Sequence, residues 1–302
     1  MEPDPALTAV KTYNYLRIAL AALVLLLYTS VLLEWWAAGR CLQGSISAYY
    51  YTPVHAVFIG VLVTMGVCLV ALKGNTDGED ALMNLAGMLA PGVAFIPTPS
   101  AEQCSSAPLL TPDIPAGVGN NMPALFVTGL VVGVAAVVLA RREGGPSGLG
   151  TADKLGLALS LGVLGGGVVW FLVARDSFIA HGHDLSAVPM FLCIVAVVWL
   201  NARDVQQAVR AGAVESARSR YVAMYRAVAV AMLVALVVTV AVNLATASTT
   251  AVLWVEVVLI TLFAVFWLIQ TTELWDKGLR RPQGRVLPPT GSPAQDVARR
   301  AR

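Results

Sequence analysis

The sequence predicts an all-α protein, a polytopic bundle of about eight transmembrane helices with both termini in the cytoplasm. Three observations carry this prediction: the composition, the length of the apolar segments and the distribution of basic residues. Hydrophobic residues make up 57% of the 302 residues and charged residues 13%, against roughly 45–50% and ~25% in soluble domains. The mean hydropathy is +0.73. This composition excludes a soluble globular enzyme, a disordered chain and a nucleic-acid-binding protein.

The apolar residues occur in segments of about the length that crosses ~30 Å of hydrocarbon at 1.5 Å per residue. These segments are apolar on all sides, which favours helices over the alternating strands of a barrel. The third contains Pro91 and is compatible either with a continuous helix or with a broken span, which is tolerated only if neighbouring helices cover the freed backbone groups. The eight segments lie near Leu16–Leu33, Pro53–Leu72, Ala81–Ile96, Met122–Ala140, Leu155–Val173, Ser186–Leu200, Ala227–Ala247 and Ala251–Ile269.

The basic residues predict the orientation. With eight spans, 18 of the 20 Lys and Arg residues fall on the side of the termini, and only Arg40 and Arg175 fall on the other side. Because basic residues accumulate in cytoplasmic segments, we expect both termini inside a bacterial cytoplasmic membrane. Residues 1–275 are predicted to form the bundle. Residues 276–302 are rich in Pro, Gln and Arg and are predicted to form a disordered, basic cytoplasmic tail.

The four cysteines divide into two pairs under this topology. Cys68 and Cys193 fall within spans and are predicted to be buried thiols. Cys41 and Cys104 fall in outer loops, where an oxidising exterior permits a disulfide. We therefore predict a Cys41–Cys104 bond that ties the first outer loop to the second, residues 97–121.

All three histidines of the chain fall near the outer side. His55 lies at the outer end of the second span, and His181 and His183 are predicted in the outer loop before the sixth. Three imidazoles with one open position are a typical catalytic zinc site, and a metal-bound water could hydrolyse an ester or amide. The spacing lacks a helical His-x-x-x-His pair, so solvated or capping histidines remain the alternative, and no cofactor is required.

One acid lies inside an apolar segment. Glu256 is about six residues into the eighth span, and an ionisable residue at that depth is a candidate functional site. Asp184, beside His183, is the corresponding outer-loop acid. Glu256 and Asp184 are therefore the candidate ligand or ion contacts. The alternative for Glu256 is a hydrogen-bonded side chain that faces the bundle.

The region around the second and third spans carries a resemblance. The segments SISAYYYTPVHAVFIGVLVTMGVCLVALKG and DALMNLAGMLAPGVAFIPT resemble uncharacterised multi-pass membrane proteins of bacteria, of an actinobacterial type. A shorter local pattern is similar to the DRAM-like multi-pass membrane family, and no catalytic residue carries over from it. That pattern consists of Ser45, Ile46, Ser47, Pro53, Val57 and Phe58.

These observations favour a non-catalytic protein that binds a lipid or a protein partner at its extracytoplasmic face. The bilayer, a membrane-protein partner and a second copy of the chain are the expected contacts. One rival is a metal-dependent membrane hydrolase that uses the three histidines. The other is a transporter of a small solute or ion that uses Glu256 and the broken third span.

Overall fold

The computed structural model is all-helical throughout the residues it describes, which are 5–98, 104, 110–144, 151–212, 219–245 and 250–275. Within these ranges there are eight α-helices, a short 3₁₀ helix (Ser47–Tyr51) and no strand. Helices α1 and α4 to α8 are each long and apolar enough to cross a membrane, as expected of a multi-pass membrane protein. The helices are α1 (Pro5–Ala37), α2 (His55–Ala71), α3 (Asp77–Phe95), α4 (Ile114–Gly144), α5 (Thr151–Val173), α6 (Arg175–Arg210), α7 (Ser219–Ala245) and α8 (Thr250–Leu274).

Six of these helices form a closed ring. Helix α1 packs against α2, α2 against α3, α3 against α6, α6 against α7, α7 against α8, and α8 returns to α1. Helices α4 and α5 lie outside the ring, against α3 and α6. We call the end of the ring that carries Cys41 and Cys104 the disulfide end. The opposite end, where α1 begins and α8 ends, is the termini end.

The third predicted span is one continuous helix, which decides between the two alternatives that the sequence left open. Pro91 lies inside α3, in its second half. The helix tolerates it because α2 packs closely there: a Cβ on Gly66 would lie 3.2 Å from Pro91 Cδ and 2.6 Å from the Gly87 carbonyl oxygen. Only two glycines leave room for this approach, which is how small residues bring membrane helices together.

At the disulfide end, the predicted bond between Cys41 and Cys104 is confirmed, with Cα atoms 5.8 Å apart. The outer loop predicted over residues 97–121 is shorter than expected, because α4 already begins at Ile114. The Asp113 carboxylate accepts a hydrogen bond from the Ala116 amide and so caps this early helix start. Before this helix, the backbone N–H of Leu110 donates a hydrogen bond to Tyr51 O at 2.7 Å and so attaches the segment before α4 to the 3₁₀ helix.

At the termini end, a tight turn joins α2 to α3. The Thr76 hydroxyl accepts a hydrogen bond from Glu79 N at 3.2 Å and is the N-cap of α3. The Asp80 carboxylate instead binds Lys73 Nζ and the Gly74 amide within the turn. The predicted tail, residues 276–302, lies outside the described residues.

Candidate functional site

A cavity of about 100 Å³ lies inside the ring, toward the disulfide end. Helices α1, α2, α3, α6 and α8 all contribute to its wall, and the apolar side chains that line it are aliphatic, aromatic and thioether groups. Among the described residues that line it, Glu256 and His183 are the ionisable ones. The cavity therefore has an apolar wall with one carboxyl and one imidazole. Representative apolar residues of the wall are Leu27, Phe58, Val61, Met65, Met190 and Phe263.

Glu256 is held from one side by the loop that follows α1. Its Oε2 accepts a hydrogen bond from the backbone N–H of Ile46 at 2.5 Å. The same loop binds the start of α8, because Leu253 N donates to Gly44 O at 3.0 Å and so satisfies one of the free amides of a first helical turn. No described residue donates a hydrogen bond to Glu256 Oε1. Glu256 is half-buried, so this oxygen is open to a ligand that brings a donor or a positive charge.

His183 lies on the opposite wall of the cavity, on α6, and is only 6% exposed. Its Nδ1 is 2.8 Å from the carbonyl oxygen of Ile96. A carbonyl can only accept, so Nδ1 carries the proton in this bond. The ring is thereby fixed against the end of α3.

The prediction that His181 and His183 lie in a loop is wrong. Helix α6 begins at Arg175, and Ala174 alone separates it from the end of α5 at Val173. Because successive helical residues are rotated by about 100°, the neighbours of His183 face elsewhere. His181 and Asp184 are both exposed, and Asp184 acts on His183 and Glu256 only as an electrostatic neighbour.

His55 lies apart from the cavity, at the first turn of α2. Its Nδ1 is 2.6 Å from Tyr50 O, and its ring packs edge-to-face on the Tyr50 ring at 4.3 Å. Burial raises the pKa of the Tyr50 phenol, which therefore stays neutral in this contact. Within the described ranges, no group of three or more His, Cys, Asp or Glu side chains is placed to hold a metal ion. The structure thus does not bring the three histidines together as one ligand set.

A second cluster of polar side chains, which the sequence analysis missed, closes the ring at the termini end. We call it the polar network and define it as Arg17 on α1, Asn75 and Glu79 at the start of α3, Asn201 on α6 and Gln270 on α8. All five are at most 8% exposed. They come from four different positions around the ring, so the network spans its interior.

The hydrogen bonds of the polar network converge on Glu79. Glu79 Oε1 accepts from Asn201 Nδ2 at 2.8 Å and from Gln270 Nε2 at 3.4 Å. Glu79 Oε2 accepts from the Asn75 amide and from Asn75 Nδ2, at 2.8 and 2.9 Å. Gln270 Oε1 in turn accepts from Arg17 Nε at 2.9 Å. The Gln270 side chain therefore connects the Arg17 guanidinium to the Glu79 carboxylate.

Two further hydrogen bonds connect neighbouring helices at the termini end, beside the polar network. Tyr225 OH on α7 donates to Glu273 Oε2 on α8 at 2.6 Å, and both side chains are buried. Asn14 Nδ2 on α1 donates to Trp275 O at 2.7 Å. The signal for this region was present in the sequence. Asn14 with Arg17, and Gln270 with Glu273, are polar pairs three residues apart, which places each pair on one helix face.

Comparison with known proteins gives no match. No family model matches the chain, and no curated protein or solved structure is significantly similar to it. The resemblance to bacterial and DRAM-like membrane families thus stays a prediction. The class that the fold defines is a multi-pass helical membrane protein with an apolar cavity inside a six-helix ring, and the functional argument rests on that cavity.

Proposed function

We propose that this protein is a non-catalytic binding protein of the bacterial cytoplasmic membrane, and that its central cavity binds a small apolar cation. The observation that carries the proposal is Glu256, which lines a largely apolar cavity and whose Oε1 accepts no hydrogen bond from any described residue. A ligand that brings a positive charge or an N–H group to this oxygen supplies the missing partner, and hydrogen bonds to charged groups are the stronger ones.

The size of the cavity limits the ligand. A cavity of 150 Å³ can hold benzene, with six heavy atoms. In proportion, about 100 Å³ of space holds about four heavy atoms, so a compact body of five is at the upper limit, as is the branched end of a larger amphiphile. The aliphatic and aromatic wall favours carbon over polar atoms. A branched alkylammonium ion combines this size with the charge that Glu256 prefers.

The orientation of the site follows from the basic residues. Eight crossings with both termini in the cytoplasm place the disulfide end outside, where an oxidising environment maintains Cys41–Cys104. The ligand then enters from the extracytoplasmic face, past the Gly44–Ile46 loop. Exposed Trp36 and Trp275, at opposite ends of the bundle, suit the two membrane interfaces.

Binding of matched small molecules to the purified protein in detergent tests the proposal. We expect tert-butylammonium to bind most tightly, tetramethylammonium next, and neutral tert-butanol at least tenfold more weakly than either cation. All three have five heavy atoms, so size cannot produce this order. Calorimetry or a thermal-shift titration measures it.

Two variants locate the site. Glu256→Gln is expected to weaken cation binding at least tenfold and to leave tert-butanol binding unchanged, because only the charge is lost. Asp176→Asn removes an exposed acid in the first turn of α6 at the same end and should leave all three affinities unchanged. Equal affinity for the cations and the alcohol, or an equal effect of both variants, would overturn the proposal.

A further inference from the structure

The polar network occupies the ring interior on the side of the cavity opposite Glu256. Arg17, Glu79, Asn201 and Gln270 are each at most 2% exposed, so they face the ring and not the lipid. Buried ionisable groups between membrane helices are expensive and often mark the path of a substrate. Purely structural closure of a helix bundle needs only apolar side chains, so a polar closure at this place requires another explanation.

Each end of the ring carries hydrogen bonds between separate elements. At the disulfide end, Ile46 N donates to Glu256 on α8. At the termini end, side chains of α3, α6 and α8 meet at Glu79 Oε1. Neither closure is part of a helix's own hydrogen bonding. Either one can therefore open when helix ends move apart, without any helix unfolding.

The two helices that carry Glu79 and Asn201 both contain a proline beside the cavity. Pro91 in α3 lies between the cavity residues Ala90 and Val93, and Pro189 in α6 is followed directly by Met190. A proline removes one helical hydrogen bond and is a usual site of helix bending.

In each of these helices we call the segment between the proline and the polar network an arm, and the two arms have the same length. Glu79 lies twelve residues before Pro91, and Asn201 lies twelve residues after Pro189. At 1.5 Å per residue each arm is about 18 Å long, so a bend of about 10° at the proline moves its end by about 3 Å. That displacement is enough to break the 2.8 Å bond between Asn201 Nδ2 and Glu79 Oε1.

Aromatic rings lie on α8 between the cavity and the polar network. Phe263 lines the cavity, and Trp267 lies 6.1 Å from it, one helical turn nearer to Gln270. Trp267 is 1% exposed, and its Nε1 has no hydrogen-bond partner among the described residues. Aromatic faces attract cations more strongly when water is excluded. A cation leaving the cavity toward the termini end therefore meets favourable surfaces.

We infer that the protein carries small apolar cations across the membrane, with the polar network as the gate at the termini end and Pro91 and Pro189 as its hinges. This inference rests on the proposed binding at Glu256. Opening the Ile46–Glu256 closure gives access from the disulfide end. Bending α3 and α6 opens the polar network and releases the cation at the other end.

Uptake of radiolabelled tetramethylammonium into proteoliposomes tests the inference. This ion keeps its charge at every pH and does not cross lipid by losing a proton. Pro91→Ala and Pro189→Ala restore helical hydrogen bonding while the helix persists, so both proteins should fold. We expect the double variant to transport at least tenfold more slowly than the original protein and to bind tetramethylammonium with a Kd within about twofold of its original value.

Pro123→Ala is the matched control. Pro123 also lies inside a helix, but in α4, which is outside the ring, so its uptake rate should not change. Binding without uptake by the original protein would overturn the carrier inference and leave the proposed binding function standing. Uptake that the double variant does not slow would instead overturn the assignment of Pro91 and Pro189 as hinges. Absence of tetramethylammonium binding would overturn both the carrier inference and the proposed binding function.

Discussion

The two ends of the helical ring are closed by different chemistry. At the disulfide end, a covalent bond between Cys41 and Cys104 and two hydrogen bonds from the Gly44–Ile46 loop hold a short cap over the cavity. At the termini end, the buried side chains of Asn75, Asn201 and Gln270 donate to the Glu79 carboxylate. The first closure constrains the backbone of a loop, whereas the second depends on side chains of helices.

This difference indicates which end can rearrange. The Cys41–Cys104 bond keeps two loop segments together even when the helices move. The polar network persists only while the ends of its helices keep their relative positions. Buried polar groups cost several kcal/mol when a partner is removed, so loss of one member of the polar network should destabilise the termini end strongly. The predictions below test this contrast by weakening one end at a time.

Loss of the Glu79 carboxylate is expected to have the largest effect. Glu79→Ala removes the shared acceptor of Asn75, Asn201 and Gln270, and we expect a loss of about 3–5 kcal/mol in the free energy of unfolding. Asp77→Ala, in the same first turn but exposed, should cost less than about 1 kcal/mol. Denaturant titration in mixed micelles measures both values. Similar losses for the two variants would contradict the central place of Glu79.

The contrast between the ends also explains what the sequence could predict. Apolar segment length predicted all eight helices, because crossing a bilayer demands a run of apolar residues. Cys41 and Cys104 were paired correctly because topology placed both on one side. The position of His183 was missed because the polar residues spread through 175–184, before the apolar part of α6, resemble a loop, although their backbone is already helical.

The polar network was missed for a different physical reason. Arg17 and Glu79 lie near helix ends, where charges are common and usually solvated, so orientation rules counted Arg17 as a topological signal. Their burial depends on how six helices close into a ring, which is tertiary information. Glu256 was identified because it is deep inside an apolar segment, but its partner, the backbone amide of Ile46, carries no sequence signal.

Removal of the disulfide is expected to have the second largest effect. Replacing both Cys41 and Cys104 by Ser should lower the free energy of unfolding by about 2–4 kcal/mol, because the 63-residue separation of the cysteines leaves a long loop unconstrained in the unfolded chain. The change should be local. Amide exchange at Ile46 should accelerate, while exchange at Asn75, whose amide is bound by Glu79 Oε2, should stay the same. Equal acceleration at both amides would show that the two ends are not independent.

The smallest predicted effect concerns the residue that positions Glu79. Thr76→Ala removes the N-cap of α3, whose hydroxyl accepts from Glu79 N, and should cost about 1 kcal/mol. Thr12→Ala is the same chemical change at the same end, but Thr12 is exposed in the interior of α1 and its hydroxyl bonds back to Thr8 O. Such back-bonding slightly disfavours a helix, so this variant should be neutral or stabilising. Thermal unfolding in detergent compares the two. A loss for Thr76→Ala alone would tie the stability of the termini end to the cap of α3, whereas equal losses would show that the effect does not depend on capping.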